Sequence, residues 1–255
     1  MHALRTDTSS PAASPAGPSV ALESTGHVLR RLEETPLRED PFPHLVVPDA
    51  LPADLYARAV AHWPKFEALA QLQMDTLPQR YQTFLTDRVL DAMEPDAGAV
   101  WREVRDSLFG PETLVRLAPR FPSLAAKLDG GFAARPPVVY ARLVEDHAGH
   151  SMLPHTDVFG TFLSMLLYMP EDGSRPHLGT ALYRPRDPSF TAPLDRSTER
   201  FPREDFELAG TAPFLPNHLL AYAPSDRSFH GVEPVEAPCM RRFLLLFALM
   251  DSRGP

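Results

Sequence analysis

From residue 136 to 250 the chain is a series of short apolar runs broken by Pro, Gly and Asp turns, with no helical period between them. The runs fall at 138–144, 161–169, 178–184, 205–214, 219–223, 231–235 and 242–250. Such a series predicts a mainly β core built as a two-sheet sandwich or jelly-roll barrel. Residues 185–204, charged and Pro-rich, read as a long loop of the kind that forms lids or stays disordered.

The first half reads differently. Residues 1–26, with Pro11, Pro15 and Pro18 among small residues, predict a flexible tail. A single α+β domain is expected over 27–255, with helical support at 50–130 and the β core at 136–250. A short helix is expected at 27–34 and a strand clamped between prolines at 40–48. An amphipathic helix at 52–63 would turn Leu55, Val60 and Trp63 inward. Within 64–95, residues 71–74 and 80–84 read either as short strands or as one irregular excursion. Val100, Trp101, Val104 and Leu108 have helical spacing over 97–109, and 112–128 is helical but broken at Pro119 and Pro122. The helices would cover one of the sheets.

At 255 residues and 44 % hydrophobic, the chain can bury a substantial core. No run approaches the roughly 18 apolar residues of a membrane-spanning helix. The N-terminal residues lack the apolar centre of a secretory signal. Cys239 is the one cysteine, so no internal disulfide can form, which fits a cytoplasmic protein. A net charge of −8 argues against a nucleic-acid backbone as partner.

Ten histidines supply raw material for a metal site. In His155-Thr156-Asp157 the two side chains, two apart in an extended segment, point to one side and can face one ion. Alone the pair is weak, because roughly one His-x-acid pair is expected by chance in a chain so composed. A loop histidine hydrogen-bonded to Asp157 would account for it equally well. Its context is more specific: the pair precedes the apolar strand at 161–169, His230 opens another strand after a turn, and Arg241-Arg242 follow at the head of the last apolar run. His147 and His150, in the loop ahead of the pair, read as solvated, and Cys239 as inert.

That order resembles the 2-oxoglutarate/Fe(II) dioxygenase superfamily, in particular its prolyl-hydroxylase-like branch. The segments Leu166-Leu167-Tyr168-Met169-Pro170, Leu178-Gly179-Thr180-Ala181-Leu182-Tyr183 and His230-Gly231-Val232-Glu233-Pro234-Val235 carry the likeness with the His-x-Asp pair. The resemblance implies a double-stranded β-helix (jelly roll, cupin-like) with N-terminal helices packed on one sheet. It implies Fe(II) on His155, Asp157 and His230, with 2-oxoglutarate and O2 at the open positions. Its basic residue on the last strand would hold the far carboxylate of 2-oxoglutarate. The family often has Arg-x-Ser there, whereas Phe243 and Leu244 stand two residues after Arg241 and Arg242. Alternation sends the two arginines to opposite faces, and because both faces are apolar the pattern does not choose between them. Arg241 is the better match to the family's arginine, which leaves Arg242 solvated or facing the helices. Tyr168 is either a second donor to that carboxylate or a core tyrosine. Arg142 either contacts cosubstrate or substrate, or is a surface cation.

The resemblance further implies an oxidoreductase releasing succinate and CO2. Related halogenases lack the carboxylate, so Asp157 favours hydroxylation or another oxidation. The expected partner is a small-molecule substrate, such as an amino acid or specialised metabolite, with neither nucleic acid nor membrane. A protein (prolyl-type) hydroxylase, a non-catalytic cupin-like metal-binding module and a zinc hydrolase are the rival readings.

Overall fold

The computed structural model describes residues 18–68, 70–71, 79–110, 112–129, 137–157, 160–193 and 199–249. Its helices are α1 (Pro18–Glu34), α2 (Ala53–Ala61), α3 (Asp87–Ala92), α4 (Pro95–Leu108), α5 (Thr113–Leu117) and α6 (Pro122–Asp129). The strands are β1 (Leu45–Val47), β2 (Ala70–Gln71), β3 (Arg80–Phe84), β4 (Val138–His147), β5 (Met152–His155) and β6 (Thr161–Tyr168). They continue with β7 (Thr180–Pro185), β8 (Phe206–Ala212), β9 (Leu219–Tyr222), β10 (His230–Val232) and β11 (Met240–Leu249). They form two antiparallel sheets, a seven-stranded one ordered β1-β9-β6-β11-β4-β3-β2 and a four-stranded one ordered β5-β10-β7-β8.

The large sheet is the middle layer, and β11 is its spine, hydrogen-bonded to β4 on one side and β6 on the other. One face of β11 (Leu244, Leu246, Ala248) packs with Leu32, Leu55, Trp101 and Leu124 of the helices. The other face (Phe243, Leu245) packs with Met152, Leu182, Ala212 and Val232 of the small sheet. A strand covered on both faces loses the apolar-polar alternation of a half-exposed one. Behind the small sheet, Phe190, Ala192 and Phe201 pack on Ala181, Tyr183, Phe206 and Phe229. Those parts of the expected 185–204 loop are therefore a third apolar layer rather than a free excursion, while residues 194–198 lie outside the described residues. Among the described residues no helix is long and apolar enough to cross a membrane.

Several expectations are corrected. Residues 18–26 are not tail but the first half of α1, so the helix expected at 27–34 begins earlier; residues 1–17 lie outside the described residues. Tertiary contacts outweigh the small, turn-forming residues: Val28 and Leu32 are buried, and Ser24 donates to Glu103 of α4 at 3.1 Å. Arg120 donates to the carbonyls of Leu32, Glu33 and Thr35, a cation closing the C-terminal end of α1. In α2, Ala59 takes the buried position and Val60 is 41 % exposed, one residue off the expected face. The strand expected at 40–48 narrows to β1, because Pro41 and Pro43 have no N–H to give a ladder. Residues 80–84 are a strand, and 112–128 breaks at the two prolines into α5, a 3-10 turn and α6.

Candidate metal centre

β5 and β10 are neighbours in the small sheet, and their register sets His155 directly opposite His230. Directly opposed residues of antiparallel strands share a face, with Cβ atoms about 5 Å apart. The two imidazole centroids accordingly stand 4.3 Å apart. Asp157, two residues past the end of β5, brings its Oδ1 to 3.8 Å from His230 Nε2. One ligand atom from each of His155, Asp157 and His230 lies within 4.8 Å of the others, a group able to hold a metal ion. Gly231 permits this closeness: a Cβ there would lie 2.5 Å from the carbonyl oxygen of Met152 on β5.

The hydrogen bonds present the right atoms. The Nδ1 of His155 is 3.0 Å from the Leu153 carbonyl, and the Nδ1 of His230 is 2.9 Å from the Ser228 carbonyl. A carbonyl can only accept, so both Nδ1 atoms carry a proton, which leaves Nε2 as the ligand nitrogen of each ring when it binds a metal. Burial, reinforced by the neighbouring His230 and Arg200, pushes the His155 pKa well below the ordinary histidine value and keeps the ring neutral. Oδ2 of Asp157 accepts from Ser164 at 2.6 Å and from Tyr222 at 2.8 Å, which leaves Oδ1 toward the imidazoles. Burial and the Asp157 charge hold the Tyr222 hydroxyl well above its usual pKa, so it stays a donor.

A cavity of about 370 Å³ opens here between the sheets. Among the described residues, the three line it with an apolar wall of Leu166, Phe243, Leu245 and Phe247 and with four arginines, Arg80, Arg142, Arg200 and Arg241. Arg241 is fully buried beneath it. Its Nη1 donates to Asp146 at 2.5 Å and its Nε to the Leu178 carbonyl. Its Nη2 is buried with no partner among the described residues. Asp146 also accepts two hydrogen bonds from Arg80, at 2.6 and 2.9 Å. Burial pushes the Asp146 carboxyl up, but the charge and hydrogen bonds of Arg80 and the charge of Arg241 overcome it and hold it at about 2.

The remaining candidates separate by face. Arg242 points to the helical side, over the Trp63 ring, and pairs with Glu145 at 3.2 Å; it does not enter the cavity. A separate cavity of about 320 Å³, lined in part by Arg242, holds none of the three metal-ligand candidates. The Tyr168 hydroxyl donates to Thr180 Oγ1 at 2.7 Å, so its proton is already used, and Thr180 itself lines the cavity. Arg142 points inward, with Nη1 donating to Gln82 at 3.0 Å. His150, expected to be solvated, is fully buried with its Nε2 3.5 Å from Asp146, and His147 is part-buried against Tyr81. Sequence reasoning missed Arg80, Asp146, Thr180, Arg200, Ser164 and Tyr222. The signal for Ser164 and Asp146 was a polar residue within or at the end of an apolar strand; Arg80 and Arg200 gave none.

No family model matches the sequence, and no curated protein matches it. Solved structures do. A prolyl-4-hydroxylase from Pseudomonas putida aligns over 92 % of this chain and 100 % of its own, at 15 % identity and a TM-score of 0.50. A prolyl hydroxylase from Trichoplax adhaerens, in complex with a hypoxia-inducible-factor peptide fragment, aligns over 91 % of each chain at 12 % identity and a TM-score of 0.52. Identities this low speak to the fold alone. In fold, then, the chain is prolyl-hydroxylase-like, and it carries within that fold a His-Asp-His group able to hold a metal ion.

Proposed function

We propose that the protein is an Fe(II)- and 2-oxoglutarate-dependent dioxygenase that oxidises a small molecule, on a double-stranded β-helix core. The observation that carries the reading is the unpaired Nη2 of Arg241, a buried guanidinium nitrogen of a residue that lines the cavity of the His155–Asp157–His230 group. A buried donor without an acceptor is costly, and a carboxylate is the acceptor that suits a guanidinium. Two neutral imidazoles and one carboxylate suit ferrous iron with open positions. Such a centre couples decarboxylation of 2-oxoglutarate to succinate and CO2 with transfer of one oxygen atom of O2 to substrate.

The chain's own residues then divide the work. His155, His230 and Oδ1 of Asp157 hold the metal, and Ser164 and Tyr222 orient Asp157 by occupying its Oδ2. Arg241 binds the far carboxylate of 2-oxoglutarate through its unpartnered Nη2, while Asp146 and the Leu178 carbonyl fix the guanidinium from the other side. Thr180, whose oxygen accepts from Tyr168, turns its own hydroxyl proton toward the cavity. Tyr168 thus acts as a positioning residue behind Thr180. The apolar wall limits water. A cavity of about 370 Å³ is at the small end for ligand pockets, which supports a small-molecule substrate. The fold likeness favours a second reading, oxidation of a prolyl residue in a peptide.

Under anaerobic conditions, Fe(II) plus 2-oxoglutarate should give the folded protein a weak visible charge-transfer band. A folded protein with no band would overturn the assignment in favour of a binding module, and activity without 2-oxoglutarate would favour a zinc hydrolase. A screen for substrate-stimulated succinate release, with proline-rich peptides as one arm, separates the two substrate readings.

Arg241→Ala should raise the apparent KM for 2-oxoglutarate about ten- to a hundredfold, the value of one charged hydrogen bond. Arg242→Ala, on the opposite face, should leave it nearly unchanged. Equal effects in steady-state kinetics of variants checked for folding by circular dichroism would remove Arg241 from its role.

A further inference from the structure

The cavity holds more positive charge than iron and 2-oxoglutarate account for. Of its four arginines, Arg80 and Arg241 share the Asp146 carboxylate. Arg142 and Arg200 make no ion pair among the described residues. Each also has a buried nitrogen with no partner among them, Nε of Arg142 and Nη1 of Arg200. Among the described residues the one carboxylate lining the cavity is Asp157, already committed to the metal. The charges of a ferrous ion and doubly ionised 2-oxoglutarate cancel each other, so neither neutralises these two cations.

We infer that Arg142 and Arg200 form a second anion subsite, which takes a carboxylate or phosphate carried by the substrate. The inference rests on the iron and 2-oxoglutarate reading and adds the substrate class to it. Position separates this subsite from that of the cosubstrate. Arg142 is registered against Leu245 of β11, and Arg241 against Asp146 of β4. Their backbones therefore stand four residues of strand, about 13 Å, apart, and the Arg142 guanidinium lies by Phe247 where that of Arg241 lies by Phe243. Phe84 and Phe247 flank the Arg142 guanidinium, with centroids 5.8 and 5.6 Å away, and aim it. Burial and then the like charge of Arg80 push its pKa down to about 10, so it is still a cation at neutral pH. The apolar wall of Phe243, Leu245 and Phe247 lies alongside for the rest of the substrate.

The test uses methyl phosphate and N-acetylglycine as probes, titrated by calorimetry into the full chain without metal and, anaerobically, with Fe(II) and 2-oxoglutarate. At least one should bind wild type. Arg142→Gln/Arg200→Gln should weaken it by about tenfold or more. The 2-oxoglutarate titration of the visible band should shift by less than about threefold. Preference for one probe assigns phosphate or carboxylate. The paired lysine replacements, which keep both charges, should retain most of the affinity. If the glutamine pair fails to fold, Arg200→Gln alone, at a residue only partly buried, carries the comparison. Three results overturn the inference: neither probe binds wild type, binding survives the glutamine variants, or 2-oxoglutarate affinity falls with them. A missing band in wild type refutes the iron reading instead, and the metal-free titrations then decide the subsite by the same criteria.

Discussion

Replacing Asp157 with alanine is expected to weaken ferrous binding by more than about a hundredfold, beyond what loss of a residue supporting a ligand costs. The variant should lose both the visible band and turnover. The fold should survive, because among the described residues no lysine or arginine forms an ion pair with Asp157, and the buried Lys127 keeps its hydrogen bonds to the carbonyls of Thr161 and Pro224. Its two donors, Ser164 and Tyr222, both have alternatives: a hydroxyl can rotate, and the Tyr222 oxygen already lies 2.9 Å from His230 Nε2. A variant that still binds Fe(II) with near wild-type affinity in an anaerobic metal titration would remove Asp157 from the ligand set. Asp157→Asn is the finer probe, since it keeps an oxygen in place but removes the charge that balances the metal.

The largest expected effect on stability belongs to a residue that touches neither metal nor substrate. Asp146 is fully buried and joins Arg80 to Arg241. Asp146→Asn would leave two guanidiniums in the interior with no carboxylate between them. Removing one partner of a buried ion pair costs about 3–5 kcal/mol. For a domain of this size the melting temperature should fall by roughly 10 °C. Calorimetric unfolding of the metal-free variant reads this directly, and a fall under about 2 °C would mean that the arginines reach water.

The same carboxylate predicts an acid limit. Its folded pKa of about 2 lies below the usual carboxylate value near 3.9, so its stabilisation is fully present above about pH 4. It is lost as pH falls through the folded value, because the unfolded chain takes up the proton first. In Asp146→Asn that part of the acid transition between about pH 4 and 2 should disappear.

The strands and broken helices could be read from the sequence because prolines, glycines and apolar periodicity act locally. Val100, Trp101, Val104 and Leu108 do face the core of α4 as their spacing requires. α1 was harder to read: its Ser, Thr and Gly residues look like linker until Glu103, far along the chain, accepts from Ser24 and Arg120 closes the helix end on the carbonyls of Leu32 and Glu33. The same holds for Arg80 and Asp146, 66 residues apart and paired only because β3 lies against β4.

What the sequence determined by itself was a strand-rich second half, the face shared by His155 and Asp157, and a distal histidine with two arginines after it. Only the tertiary structure decided that His230 stands opposite His155, and that Arg241 rather than Arg242 enters the cavity. The physical reason lies in β11: a strand buried on both sides carries apolar residues on both, so its pattern holds no record of which face meets the metal-bearing sheet. Packing between layers, which no single segment encodes, supplies that choice.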